Sequence, residues 1–396
     1  MKSDYVEYLK REVEQTLGRK ILTSIDCRHL YHDIAQQQHK VSFNTLRRFF
    51  YLMKSKHQQS PYTLDVLSNY CGFSSFNEFI TSHHEHDNDD EKSENKNNDL
   101  LDYLVSNFKC TEVISTDDFT FSSLVNQTII FLGRHPYLID QFQRRIANTK
   151  NGQTFYYEQS INLDKLASFY GEGIRYYLVS KKTVEAHTFG HYLLGFKSWL
   201  TMNDKCLHKH YKMEKEGDFE ATNSPLLFGY KYSLQFYFLN AFSCELEPVL
   251  VKLRQFHSAI TISKDNFSNT FRFEIHVITA LILCAQYEEA LFYIDDIFKI
   301  KKKFSLSNND LRLFELIPLY QAIALYHIGE VIKSKEIFNE INPTKFHFLH
   351  KQYMTILYLS FKQCLQKRNS EKKQLLSLVQ NTGFTRLATL FNKQVI

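Results

Sequence analysis

The sequence contains few of the residues that most often interrupt helices. Its 396 residues include 12 Gly and 6 Pro, whereas it has 34 Phe and 24 Tyr. A β-rich fold of this length would need many more turn-forming residues. The composition therefore predicts an all-α protein whose long helices pack through aromatic side chains, and the length predicts two or three domains.

Cysteine is also sparse, and the cysteines are widely separated. The seven residues occur singly, without a Cys-x-x-Cys pair, so the sequence indicates neither a disulfide framework nor a zinc ribbon. The longest apolar stretch, from Val277 to Ala285, is too short to cross a membrane. Because the N-terminus is also charged from its second residue, we predict a cytoplasmic protein without a membrane partner.

Acidic residues are absent between Ile34 and Leu64. The net charge of the whole chain is only +5, so this local excess of positive charge is the more informative feature. A basic segment of this kind suits a polyanion such as DNA. The basic residues in it are Lys40, Arg47, Arg48, Lys54 and Lys56.

The same segment has the apolar spacing of two helices joined by a tight turn. A short helix with Leu30 and Ile34 on one face precedes Ser42, which can cap a second helix with an apolar stripe from Phe43 to Met53. Burial of that stripe would turn polar side chains that read bases and hold phosphates toward solvent. We therefore predict a DNA-binding helix-turn-helix. Its predicted DNA contacts are Lys40, Ser42, Asn44, Thr45, Arg47, Arg48, Lys54 and Lys56.

Residues 24–79 resemble a small N-terminal helical domain that recurs in proteins of Bacteroidetes-type bacteria. The shared motifs are Ser-x-x-Thr-Leu-x-Arg-x-Phe, here Ser42 to Phe50, and Thr-Leu-x-x-Leu-x-x-Tyr-x-Gly-Phe, here Thr63 to Phe73, followed by Phe76 and Phe79. The layout also resembles the repressor-type helix-turn-helix, with Gln37-Gln38-His39-Lys40 replacing the usual small turn residue. This resemblance implies a reading pair supported by two further helices.

A polar segment follows this domain. Residues 82–98 contain no apolar side chain and have an acidic excess, which predicts a flexible linker. Its three histidines, His83, His84 and His86, are interpreted as solvated because a flexible tract lacks the fixed geometry of a metal site. We predict a helix-turn-helix-like domain at residues 1–81, an acidic linker at 82–99, a helical domain at 100–222 and helical repeats at 223–396.

The C-terminal region is predicted to contain four successive helix pairs. The segment from Gln286 to Ile297 resembles the second helix of a tetratricopeptide repeat, with Tyr287 and Ala290 at its aromatic and small positions, although Ala290 and Ser334 are 44 residues apart rather than 34. Since each pair leaves an apolar face for a neighbour to cover, we predict a tetratricopeptide-like α-solenoid. The predicted pairs are 228–242 with 247–260, 271–285 with 287–299, 311–327 with 331–339, and 346–364 with 371–379.

The first helices of these pairs are rich in aromatic residues. One buried seam per helix would not accommodate all of them, and tyrosine suits a recognition surface because its ring is apolar and its hydroxyl is polar. We predict that Tyr230, Tyr237 and Tyr320 line a surface that binds a peptide or protein partner.

No sequence motif indicates catalysis or a cofactor. The close set Asp204, Cys206, His208 and His210 alternates along a predicted helix, where alternate side chains diverge, so we predict no metal site there. The Gly171-Glu-Gly173 segment lacks the third glycine of a nucleotide loop. We predict a protein that is not an enzyme and has no catalytic residues and no cofactor.

Two functions remain open. The first is a DNA-binding transcriptional regulator whose helical repeats sense or bind a peptide or protein. The alternative is a non-enzymatic scaffold in which the N-terminal domain docks protein rather than DNA. An amphipathic helix at residues 4–17 is predicted to pack on the N-terminal domain. A membrane-surface role, or a dimerising role that would make the chain a homodimer, stays open for this helix.

Overall fold

The regular secondary structure of this protein is helical. The computed structural model describes residues 2–36, 41–53, 59–80, 90–113, 115, 117–215, 224–264, 266–366 and 371–390. Over these ranges there are no β-strands, which confirms the predicted all-α class. Among the helices described, none has the length and apolar character needed to span a membrane.

The helices follow one another with short connections. They are α1 Lys2–Leu17, α2 Ser24–Gln36, α3 Phe43–Phe49, α4 Pro61–Tyr70, α5 76–80, α6 Asp90–Cys110, α7 Phe119–Arg134, α8 Ile139–Ile146, α9 Phe169–Ser180, α10 Val184–Leu200, α11 Asp204–Lys215, α12 Pro225–Ala241, α13 Glu247–Ala259, α14 Phe267–Leu283, α15 Tyr287–Lys303, α16 Asn308–Phe314, α17 Ile317–His327, α18 Val331–Glu340, α19 Lys351–Gln366 and α20 Lys372–Thr382. A π-helical segment, Gly152–Gln159, and short 3-10 turns lie between them.

The chain divides into two compact units. Unit 1 contains residues 1–107 and 128–142, and unit 2 contains residues 108–127 and 143–396. These limits differ from the predicted domain boundaries at residues 81, 99 and 222.

The apolar core of unit 1 includes a continuous cluster drawn from residues 5–80. Leu9 and Val13 of α1 are fully buried in it, and α1 packs against α4. The predicted packing of the amphipathic N-terminal helix on this domain is therefore confirmed. Leu46 and Phe49 of α3 are buried in the same cluster.

Helix α3 is shorter than its apolar pattern predicted. It ends at Phe49, and Tyr51 adopts a left-handed backbone conformation with φ of 56°. The Tyr51 hydroxyl donates a hydrogen bond to Glu7 of α1 (3.1 Å), and the Lys10 ammonium lies 3.3 Å from the centre of the Tyr51 ring. These tertiary contacts hold the chain where the helix stops, so the predicted extension to Met53 is wrong.

The predicted acidic linker contains the start of a long helix. Helix α6 begins at Asp90, which corrects the prediction of an unstructured spacer for residues 90–99; residues 82–89 lie outside the described part of the chain. Glu and Lys are good helix formers, and this segment lacks Gly and Pro. The apolar residues after Asp99 form the C-terminal part of the helix. A polar segment of this composition can continue that helix toward its N-terminus.

Unit 2 contains a series of helix pairs with a common turn. The first helix of four successive pairs is followed, two residues after its end, by a residue with positive φ: Met202, Ser243, Ala285 and Gly329. These residues are 41, 42 and 44 positions apart. The first helices pack on one another in order, α10 on α12, α12 on α14, and α14 on α17.

The structure places most helices of the predicted pairs within a few residues of their predicted positions, and two differences are larger. The polar segment from residue 204 forms α11, which makes α10 and α11 an additional pair before the predicted ones. The predicted helix at 311–327 is divided into α16 and α17, since Pro318 occupies the first turn of α17 and cannot lie inside a helix without breaking it.

Candidate nucleic-acid interface and candidate ligand cavity

The N-terminal end of α3 has the predicted cap. The Ser42 hydroxyl accepts a hydrogen bond from the Thr45 backbone N–H (3.0 Å), and the two side-chain hydroxyls are 2.8 Å apart. Ser42, Asn44 and Arg48 are exposed, whereas Thr45 and Arg47 are half-buried. The prediction thus located a capped helix with an exposed polar face, although the hydroxyls of Ser42 and Thr45 are occupied by the cap.

The two arginines of α3 have different surroundings. Arg47 lies along the helix, with Nη1 3.4 Å from Asn44 Oδ1 and its guanidinium 5.6 Å from the centre of the Phe43 ring. Arg48 is exposed and forms no ion pair within the described residues. Arg48 is therefore the α3 cation that is most available to a ligand.

A third arginine, Arg28, joins this surface from α2. Its guanidinium lies 5.7 Å from the centre of the same Phe43 ring, and its side chain is exposed. Sequence reasoning missed Arg28 because it lies before the acid-free segment and reaches Phe43 only through the packing of α2 on α3. The predicted contacts Lys40, Lys54 and Lys56 lie outside the described residues.

Two acids of unit 1 are held by internal hydrogen bonds. Glu7 accepts from Lys10 (2.8 Å), and this hydrogen bond lowers the pKa of Glu7. Asp33 accepts from the Tyr70 hydroxyl at 2.5 Å. These two carboxylates are thus engaged by Lys10 and Tyr70 rather than by the arginines of α2 and α3.

Unit 1 also exposes several large apolar side chains. Leu22, Ile25 and Tyr62 are each at least 60% exposed. Such side chains contribute to protein-binding surfaces more readily than to phosphate contacts.

The three tyrosines predicted to bind a partner are buried. Tyr230, Tyr237 and Tyr320 are 5%, 0% and 0% exposed. Tyr230 stacks on Tyr192 with 4.8 Å between ring centres, and the Tyr320 and Tyr353 hydroxyls are 2.9 Å apart. The prediction of an exposed surface at these residues is therefore wrong. A first helix that packs between two other helices buries an apolar stripe on each side, so more of its aromatic side chains lie in the core.

Tyr230 and Tyr320 line a cavity in unit 2. The cavity is partly open to solvent. Arg272 and Arg312 contribute guanidinium groups, and Tyr192 contributes a further aromatic wall. The lining comes from segments between residues 158 and 350, so no local spacing in the sequence could have revealed it.

The cavity contains a buried neutral histidine. Burial lowers the pKa of His276 to about 3, and the charge of Arg272 acts in the same direction. Nδ1 of His276 is 3.0 Å from the Tyr192 hydroxyl. Because this imidazole is neutral at pH 7, the positive charge of the cavity comes from its arginines.

The side chains of the close set at 204–210 diverge. Asp204 forms an ion pair with Arg386 (3.1 Å), His208 packs near Phe238, and Nδ1 of His210 is 3.0 Å from Nδ1 of His191. They do not form one cluster.

A different group in unit 2 could hold a metal ion. The ligand atoms of His257, Glu274 and Asp296 lie within 4.8 Å of one another, and they come from α13, α14 and α15. Burial raises the pKa of Glu274 to about 7. Burial opposes a charged His257, but the interactions with Glu274 (2.8 Å) and Asp296 outweigh it and raise the pKa of His257. Sequence reasoning missed this group because its members are far apart in the chain.

The described residues thus offer two arrangements suited to binding a larger ligand. One is the capped α3 with the exposed Arg48, and the other is the cationic and aromatic cavity of unit 2. Function has to be argued from these two geometries, since comparison with protein-family models, curated proteins and solved structures gives no match.

Proposed function

We propose that this protein is a cytoplasmic DNA-binding transcriptional regulator whose helical repeats sense or bind a peptide or protein partner. One observation carries the proposal: α3 is capped at Ser42 and presents Asn44 and Arg48 to solvent within a segment that has no acidic residue. Asparagine and arginine are the side chains that most often make paired hydrogen bonds to adenine and guanine.

The dimensions of α3 suit a reading helix. An α-helix is about 10–12 Å across with its side chains, which matches a major groove about 12 Å wide. In a helix-turn-helix the N-terminal residues of the second helix face the base edges. Asn44 would contact bases, while Arg48, Arg47 and Arg28 would contact bases or flanking phosphates.

The finer fold assignment belongs to the same proposal. Helices α2 and α3 would act as the helix-turn-helix pair, supported by α1 and α4. The helix pairs of unit 2 would form a tetratricopeptide-like α-solenoid with a period longer than 34 residues. The recurrence of one turn at Met202, Ser243, Ala285 and Gly329 supports this assignment.

The DNA-binding role can be tested with charge-matched variants. We expect the wild-type protein to bind bulk duplex DNA with an affinity that falls steeply as salt rises, because binding releases counterions. Arg48→Glu should lower that affinity at least tenfold at low salt and reduce the slope of log K against log salt by about one. Gel-shift titrations across a salt series measure both quantities.

Lys302→Glu is the control for the change in net charge. Lys302 is exposed on α15 in unit 2, so its replacement makes the same charge change away from α3. We expect it to leave DNA affinity nearly unchanged. Equal losses in the two variants, or no salt-sensitive binding by the wild-type protein, would contradict a DNA contact by α3.

The second candidate function is a protein-docking scaffold. It is favoured by the exposed Leu22, Ile25 and Tyr62 of unit 1, which supply apolar area that DNA would not use. In that case the wild-type protein should show no salt-sensitive DNA binding, and Leu22→Ser with Ile25→Ser should remove binding of unit 1 to its protein partner.

A further inference from the structure

We infer that the cavity of unit 2 binds a small molecule that joins an oxyanion, carboxylate or phosphate, to an aromatic body, with Arg312 as the anchor for the oxyanion. This inference goes beyond the proposed function and does not depend on whether unit 1 binds DNA.

Arg312 is a buried cation in the lining of the cavity. Its side chain lines the cavity and the residue is only 8% exposed. Burial lowers the pKa of Arg312 to about 10, so the guanidinium still carries its charge at pH 7. Removing a cation from water is costly unless a partner compensates for the lost hydration.

The carboxylates near Arg312 are already engaged by other side chains. Asp310 forms an ion pair with Arg272 (2.7 Å) and accepts hydrogen bonds from the hydroxyls of Ser268 and Ser307. Glu315 lies 3.5 Å from the imidazole of His350. Within the described residues Arg312 forms no ion pair, and its guanidinium donates a hydrogen bond to the backbone carbonyl of Gln159. The charges of Glu315 and Asp310 act on Arg312 without an ion pair, so an oxyanion in the cavity would supply its directly bonded countercharge.

The carboxylate that lines the cavity itself, that of Glu158, is also occupied. Glu158 accepts hydrogen bonds from the Tyr177 hydroxyl (2.6 Å) and from the Lys181 ammonium (2.5 Å). The cavity therefore keeps an excess of positive charge. Arginine favours carboxylate and phosphate because its planar guanidinium can donate two parallel hydrogen bonds to them.

The walls of the cavity define the rest of the ligand. Tyr192 and Tyr230 stack with ring planes 24° apart, and Phe196 and Leu193 extend the apolar lining. A largely apolar pocket with a few convergent polar groups is typical of sites for small molecules. The aromatic wall formed by these tyrosines favours a ligand that carries an aromatic ring.

Binding can be tested on the full-length protein in the absence of DNA. The probes are phenylacetate, phenyl phosphate, the neutral phenylacetamide and inorganic phosphate, each measured by isothermal titration calorimetry. We expect at least one aromatic anion to bind at least tenfold more tightly than phenylacetamide and inorganic phosphate. The two aromatic anions distinguish a carboxylate ligand from a phosphate ligand. If neither one binds, or if phenylacetamide binds equally well, the inference is overturned.

Arg312→Met supplies a readout that a purely structural arginine would not give. Because it removes a buried charge without an ion-pair partner, we expect the ligand-free variant to have an unfolding temperature equal to or above that of the wild type, while binding of the aromatic anion falls at least tenfold. Retained binding overturns the inference. Arg254→Met, at an exposed arginine paired with Glu289, is the control and should bind as the wild type does.

Arg312→Lys covers the case in which Arg312→Met fails to fold. Lysine keeps the charge and much of the stem but loses the two-pronged donor. We expect a reduction of about tenfold in affinity for the aromatic anion. An unchanged affinity would show that the guanidinium is not the anchor.

Discussion

At the scale of single residues, two buried tyrosines of unit 2 differ in the hydrogen bonding of their hydroxyls. Tyr293 and Tyr320 are both fully buried. The Tyr320 hydroxyl is 2.9 Å from that of Tyr353, whereas the Tyr293 hydroxyl has no hydrogen-bond partner among the described residues. A buried hydroxyl without a partner loses its hydration and gains nothing in return.

The same substitution at these two positions should therefore have opposite effects. We expect Tyr293→Phe to raise the free energy of unfolding by about 1 kcal/mol, and Tyr320→Phe to lower it by about 1–2 kcal/mol because Tyr353 loses its partner. Urea unfolding followed by tryptophan fluorescence suits the measurement, since Trp199 is the sole tryptophan and is buried in unit 2. Changes of the same sign in both variants would contradict this account.

The residue-level predictions succeeded where the cause was local. Ser42 was predicted correctly as a cap because capping joins a side-chain oxygen to a backbone N–H only three residues later. The exposure of Tyr230, Tyr237 and Tyr320 was predicted wrongly because burial depends on helices distant in the chain. The cavity around Arg312 could not be predicted for the same reason, since its lining is assembled from several helices and loops.

At the scale of helices, close packing of α12 on α14 depends on a glycine. A Cβ at Gly229 would lie 3.0 Å from Phe273 Cα and 3.3 Å from the Phe273 carbonyl oxygen, and these backbone atoms cannot move aside like a side chain. We expect Gly229→Ala to lower the free energy of unfolding by about 1–3 kcal/mol, as overpacking does in cores. Thermal unfolding followed by circular dichroism measures the change.

Gly133→Ala is the matched control. Gly133 lies in α7 and is exposed, and a Cβ at this position would have no described neighbour within 4 Å outside its own helix turn. We expect this variant to be unchanged or more stable by less than about 1 kcal/mol, because alanine favours a helix over glycine. A similar loss of stability in both variants would mean that contact with α14 does not explain the effect.

Helix positions were more predictable than helix ends. The continuous apolar stripes of α12 to α15 located these helices to within a few residues. The end of α3 depends on contacts of Tyr51 with Glu7 and Lys10 of α1, which no periodicity contains. The start of α17 did have a local signal in Pro318, and the prediction of a continuous helix overlooked it.

At the scale of the whole molecule, the first 80 residues contain a core of their own. Every member of its buried cluster lies between Tyr5 and Ile80. We expect a fragment of residues 1–81 to fold alone and to unfold cooperatively in urea, with helical circular dichroism. If a fragment of residues 1–142 folds but 1–81 does not, then α6 and residues 128–142 are required, as the larger limits of unit 1 would suggest.

The scarcity of glycine has a consequence for how this sequence can evolve. Among the described residues, left-handed backbone follows eight helices; four of these positions are glycines, Gly18, Gly72, Gly329 and Gly383, and four are not: Tyr51, Met202, Ser243 and Ala285. A side chain in this conformation costs roughly 1 kcal/mol, so the four non-glycine positions together hold on the order of 4 kcal/mol. Glycine at Met202, Ser243 and Ala285, which are exposed, would release their share of that strain without altering the core, whereas glycine at Tyr51 would also remove its contacts with Glu7 and Lys10. Such glycine variants would be more stable than the present sequence. The protein could then accept mutations in its binding surfaces that would otherwise destabilise it too far.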